Sequence, residues 1–185
     1  MIYAPSFPVF YYQKDQSRIS FPHSFLSTTI LTQHKEETIV DRIETVKAFA
    51  AALEARDFEK SASYLSDDFV LSGPVPQPLG KQEFIAVQSA FQNAFPDWLF
   101  NSHNEVEQGD TVTATVQITG THTRELVVPM PGMPPIPPTG KKIALPEEHM
   151  TFTFKGDKIA SLASDNVPGG GVLGVLAQIG ALPQM

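Results

Sequence analysis

His122, Glu148 and Asp165 are the side chains in this sequence whose chemistry and placement suit proton transfer. All three fall within His122 to Asp165. That stretch opens on Gly120-Thr121-His122-Thr123, crosses a proline-crowded loop from Val128 to Gly140, and resumes as a strand carrying Glu147, Glu148 and His149. It closes with Gly156-Asp157, another strand and Ser164-Asp165-Asn166. A carboxylate can take a proton and an imidazole can give one, so carboxylates and histidines beside sheet edges define a search for acid-base chemistry.

Strand parity sorts these groups, because successive strand residues point to opposite faces. Val112, Ala114, Val116 and Ile118 alternate with threonines and Gln117, and the same parity continued past Gly120 turns His122 toward the core. Met150, Phe152 and Phe154 alternate with Thr151 and Thr153, which puts Glu148 inside and Glu147 and His149 outside. Ile159, Ala163 and Asp165 share a parity. Trp98, Phe100 and Val106 share another, opposite His103. Glu148 and His149, as neighbours on one strand, do not converge on one ion, so no metal site is expected.

The elements that must hold these residues are helices first and strands after, an α+β order. Thr38 and Asp41 make a carboxylate variant of a capping box ahead of Ile39, Ile43, Val46, Ala50 and Leu53. Asp57 breaks that pattern, and Phe58, Ala62 and Leu65 predict a short second helix ending at a Ser66-Asp67-Asp68 turn before a strand over Phe69-Val70-Leu71. Ser72 to Gly80 is a proline-stiffened loop. A third helix from Lys81 carries Phe84, Val87, Phe91 and Phe95 inward until Pro96 stops it. Gly169-Gly170-Gly171 precedes a short closing helix or lid with Leu173, Leu176 and Ile179. A curved sheet wrapped around the early helices leaves a cavity at its open end, the setting of a small-molecule site.

The 185 residues predict one domain, and 42% hydrophobic content is ordinary for a globular chain. A formal charge of -7 with no basic cluster argues against nucleic-acid binding. No apolar stretch approaches the roughly 18 residues of a membrane span, so no membrane partner is expected. With no cysteine there is neither disulfide nor thiolate metal site, which suits a cytoplasmic protein. Residues 1–37, rich in Phe, Tyr, Ser and Pro near the start, are expected to form a flexible N-terminal extension, and residues 38–185 the folded domain. The proline loop is expected to rim the pocket.

Several local motifs, taken in order, resemble the SnoaL-like polyketide-cyclase branch of the nuclear-transport-factor-two-like superfamily. They are Phe95-Pro96-Asp97, Glu107-Gln108-Gly109-Asp110, Gly120-Thr121-His122-Thr123, Pro138-Thr139-Gly140-Lys141-Lys142, Phe152 to Ile159, and the late run from Leu173 to Gly180. The resemblance covers about Thr38 to Leu182. It implies a cone-shaped α+β barrel with a mixed or antiparallel sheet (NTF2-like, cystatin-like), a homodimer, one pocket per subunit and no cofactor. The ligand it implies is a small apolar or carbonyl-containing molecule. By the same resemblance His122 matches the family's motif histidine and Asp165 its late-strand acid. At Leu162-Ala163 the chain departs from the His-Trp pair of many relatives, and its proline loop is longer than theirs.

In the cyclase or isomerase chemistry so implied, a base removes a proton beside a carbonyl and a donor stabilises the enolate. Asp165 would be the base, His122 the donor and Glu148 a further carboxylate, with Trp98, Phe100, Met150, Phe152 and Asn166 binding substrate. Each titratable residue also has a plain structural reading: His122 as a core histidine bonded to a backbone carbonyl, Asp165 as a cap of the turn toward Val167-Pro168, Glu148 as part of a polar strand end or of a salt bridge. A non-catalytic pocket protein binding an apolar metabolite and a hydrolase of the same fold are the other readings.

Overall fold

The structure is a computed structural model that describes residues 41–73, 75, 77–129 and 133–182. These belong to a compact unit spanning Thr38–Met185. The expected N-terminal extension, together with Thr38 and Ile39 of the expected first helix, lies outside the described residues.

The order of elements is α1 (Arg42–Glu54), α2 (Phe58–Ser63), β1 (Leu65–Ser72), β2 (Leu79–Gly80), α3 (Lys81–Ala94), β3 (His103–Gln108), β4 (Thr111–Val116), β5 (Thr119–Thr121), β6 (Lys142–Ala144), β7 (Glu148–Lys155), β8 (Lys158–Ser164) and α4 (Gly171–Ile179). Asp41 is itself the N-cap of α1, accepting from the Glu44 N–H at 3.0 Å. Asp57 caps α2 in the same way through Lys60. Leu65 does not continue α2. It starts β1, and the expected turn at Ser66-Asp67-Asp68 is an irregular stretch within that strand, where pairing with β8 slips between Leu65 and Val70.

Six strands form a mixed sheet in the order β2-β1-β8-β7-β4-β3, with β1 and β8 parallel. β5 and β6 make a separate two-stranded sheet. The α+β class with a mixed sheet is the one expected, and among the described residues the sheet is open, with β2 and β3 as its edges. Phe49 of α1 packs on Phe84 of α3 and edge-on to Phe152 of β7, while Phe84 also meets Phe69 of β1, so two helices cover one sheet face through an aromatic core.

Two bulges change what simple alternation predicts. Between His103 and Val106, three steps along β3 match two along β4, with Asn104 at φ 56°. Trp98 and Phe100 are therefore buried while Val106 is exposed, against the shared face expected for all three. Between β7 and β8, Phe154 pairs with Ile159 but Thr153 pairs with Ser161, so Ala160 is an extra residue. That single residue moves Leu162 and Ser164 to the inner side and turns Asp165 out, reversing the expected parity.

Candidate functional site

A cavity of about 440 Å³ lies between α1, α3, α4 and the inner side of the sheet. Apolar side chains dominate its walls: Val46, Phe49 and Leu53 from α1, Phe84, Val87 and Phe91 from α3, Val116 and Ile118, Met150 and Phe152, Leu162, and Val172 and Val175 from α4. Trp98 and Phe100 complete the aromatic side. The Glu54 carboxylate, at the end of α1, accepts the Phe100 N–H at 2.8 Å and fixes that corner. Pro129, from the proline loop, also lines the cavity; residues 130–132 of that loop lie outside the described residues.

Glu148 is the buried carboxylate of these walls. It is 4% exposed, and its Oε2 accepts the Ser164 hydroxyl at 2.8 Å. Its Oε1 accepts the backbone N–H of Gly171 at 2.7 Å, the first residue of α4. An acidic group at a helix N-terminus satisfies one of the amides that has no partner within the helix. Each oxygen keeps a second lone pair. Glu148 opens β7, as the plain reading of a polar strand end has it, and these two hydrogen bonds stand where the alternative salt bridge would. The other carboxylate in the lining, Glu83, sits at an exposed position on the first turn of α3.

His122 is fully buried but does not line the cavity. Its ring stacks on Phe95 with centroids 5.0 Å apart. The Thr139 N–H donates to its Nδ1 at 3.3 Å, with the Thr139 hydroxyl 3.1 Å from the same atom, which assigns the ring proton to Nε2. Among the described residues no hydrogen bond of good geometry reaches Nε2. Burial pushes the imidazole pKa below its ordinary value, opposed by the Arg124 backbone carbonyl, so the ring is held neutral. At Nδ1 the partners are the Thr139 N–H and hydroxyl, and the Arg124 backbone carbonyl acts on the ring as the plain reading of a core histidine has it.

Around His122, three of the motifs singled out in the sequence clasp one another. The Thr121 hydroxyl and N–H donate to the two oxygens of Asp97, at 2.7 and 2.6 Å. That hydroxyl bond is the largest cause of the depressed Asp97 pKa. The N–H groups of Thr123 and Arg124 both reach the Ala94 carbonyl at the end of α3, and His122 exchanges backbone bonds with Lys141 and Gly140. Phe95-Pro96-Asp97, Gly120 to Thr123 and Pro138 to Lys142 therefore build a structural corner behind the cavity wall.

Of the residues expected at the site, Glu148, Trp98, Phe100, Met150 and Phe152 share the cavity. Asp165 and Asn166 are exposed and outside it, because the bulge in β8 gives the inner position to Ser164. The expected Asp165–His122 pair does not meet in one pocket. Glu147 and His149 are exposed as expected, with Glu147 3.6 Å from His103. Alternation did not single out Gln88, which lines the cavity from α3. Its signal is present in the sequence: Phe84, Gln88, Phe91, Gln92 and Phe95 follow helical i, i+4, i+7, i+8, i+11 spacing, so two glutamines interrupt an apolar stripe.

With fold and cavity in place, the comparisons with known proteins agree on class. The model of the SnoaL-like domain matches residues 46–162, and the chain belongs to that family. Among solved structures, AclR from Streptomyces galilaeus, for which a hydroxylase role has been suggested, superposes with a TM-score of 0.60 at 20% identity, covering 77% of this chain and 97% of its own. A protein of Jannaschia sp. CCS1, provisionally assigned as a SnoaL-like polyketide cyclase, gives 0.59 at 21% identity over 76% of this chain and 92% of its own. IdmH from Streptomyces antibioticus, provisionally a polyketide cyclase, gives 0.54 at 20% identity over 67% and 90%. At these identities the likeness establishes the fold. A search of curated proteins gives no significant match. Among the described residues, no helix is long and apolar enough to cross a membrane.

Proposed function

We propose that the cavity binds a small, mainly apolar carbonyl compound and that Glu148 acts on it as the acid-base group, in a cyclisation or isomerisation that begins with removal of a proton beside the carbonyl. The observation that carries this reading is a buried carboxylate in an otherwise apolar cavity of ligand size. Trp98, whose indole N–H is buried and unpaired beside that cavity, is the donor for the oxygen on which enolate charge develops. Asp165, exposed, and His122, walled off, take no part. The provisional polyketide-cyclase assignments of two structural relatives agree with chemistry on a carbonyl compound.

Glu148→Gln is the informative variant. The amide keeps an acceptor for the Gly171 N–H and nearly the same volume, so the fold and the binding of cavity ligands persist while proton transfer is lost. A thermal-shift screen of small neutral ketones, followed by turnover assays on each hit, checks this. The expected outcome is hits shared by both proteins and turnover by the wild type alone, reduced at least about a hundredfold in the variant. Equal turnover by both would remove Glu148 from the mechanism. Binding without turnover in the wild type would favour the non-catalytic pocket protein, a reading supported by the two hydrogen bonds that tie Glu148 to Ser164 and α4.

A further inference from the structure

The cavity's polar atoms carry information about what fills it. Trp98 is 6% exposed, it lines the cavity, and its Nε1–H has no acceptor among the described residues. Gln88 lines the cavity from α3, and its buried Oε1 has no donor among the described residues. Buried polar groups in folded proteins are paired as a rule, so an orphaned donor and an orphaned acceptor on two side chains that line one cavity call for partners, which a ligand there can supply once those side chains turn toward it. The charged residues of the described lining are Glu83 and Glu148; no lysine, arginine or histidine belongs to it. An anion entering there would lose its hydration without gaining a counter-charge, and would meet a buried carboxylate.

We infer that the cavity selects an uncharged, mainly apolar molecule with a carbonyl-type acceptor for the Trp98 Nε1–H and a hydroxyl-type donor for the Gln88 Oε1, and that it rejects carboxylates and phosphates. This rests on the reading of the cavity as a ligand site, and it assigns Trp98 and Gln88 as the residues that set specificity. The selectivity arises as it does in sites built to bond a substrate's polar group: an analogue lacking that group leaves the protein atom unpaired, whereas one lacking a methylene loses only contact area.

Calorimetric titration of the full chain with a matched series tests it: an acetylnaphthol, the corresponding acetylnaphthalene without the donor, the ethylnaphthol without the acceptor, the ethylnaphthalene without either, and a hydroxynaphthoic acid. The wild type is expected to bind the acetylnaphthol about tenfold more tightly than either singly truncated compound, and the acid at least about a hundredfold more weakly. Gln88→Met, close in volume, should erase the preference for the hydroxyl and leave that for the ketone. Trp98→Phe should do the reverse. Unchanged binding of ethylnaphthalene shows that a variant's cavity is intact, and the Gln88→Met arm stands alone if Trp98→Phe does not fold.

Equal affinities across the neutral series would overturn the inference while keeping the ligand cavity, since water would then satisfy both atoms. Preferences that survive both substitutions, or tight binding of the acid, would overturn it as well. Failure of every neutral probe to bind would sink the ligand reading beneath it.

Discussion

At the scale of single residues, His122 is held neutral by burial, and this has a consequence for stability. Its folded pKa lies below the ordinary 6.5, so in the window from about 6.5 downward to that folded value the unfolded chain binds more protons than the native one. Stability therefore falls as pH drops through that window and is fully present above it. Phenylalanine at this position keeps the stack on Phe95 and removes both the bond to Thr139 and the buried Nε2 proton. His122→Phe is expected to lie within about 1 kcal/mol of wild type at about pH 8 and to lose its acid-side slope. Urea denaturation at a series of pH values measures both. An unchanged slope would show that other groups carry the acid sensitivity. His122 was legible as an inward residue because the alternation from Val112 to Ile118, continued past Gly120, turns it toward the core. Its distance from the cavity was not, since no local pattern reports which side of an aromatic wall a buried ring occupies.

At the scale of elements, α4 closes the cavity and is tied to the sheet by Glu148. Glycine is a poor helix former, so propensity alone predicts that Gly174→Ala gains close to 1 kcal/mol. Packing reverses the sign. A Cβ at Gly174 would run into the Gly169 carbonyl and come within 3.3 Å of the Leu145 side chain. Gly174→Ala is thus expected to destabilise by about 1–3 kcal/mol, read as a lower denaturation midpoint. A stabilised variant would mean that α4 has room to shift outward. At Gly170 the same addition would press on the Glu148 carboxylate at 2.5 Å, so the glycine run is where α4 comes down onto the candidate base.

The α-helices, among them the closing one, and the strand β4 could be read from the sequence, because caps and periodicity are local. The two bulges could not, because an extra residue is defined only against a partner strand. One of them, at Ala160, exchanged Ser164 for Asp165 at the inner position. A site residue inherited from the family motif was displaced by a single step in register.

At the scale of the whole molecule, the sheet's inner face, two helices and the closing α4 enclose a cavity whose lining is apolar except for a few groups. Fold and family could be read from the order of motifs, yet three of those motifs build the corner around His122 and none supplies the cavity's carboxylate. The cavity itself is assembled from residues between Val46 and Val175, so its contents emerge only once the chain is folded. Glu148 is the residue that joins the two descriptions, since strand alternation turns it inward and α4 then covers it.

Deuterium incorporation tests that role without knowledge of the natural substrate. An acetylnaphthalene bound in the cavity carries exchangeable protons beside its carbonyl, and their replacement in deuterium oxide can be followed by proton NMR. The account predicts exchange faster than in buffer with the wild-type protein, and exchange at the buffer rate with Glu148→Gln despite retained binding. Equal acceleration by both proteins, or none by the wild type with ligand bound, would contradict it.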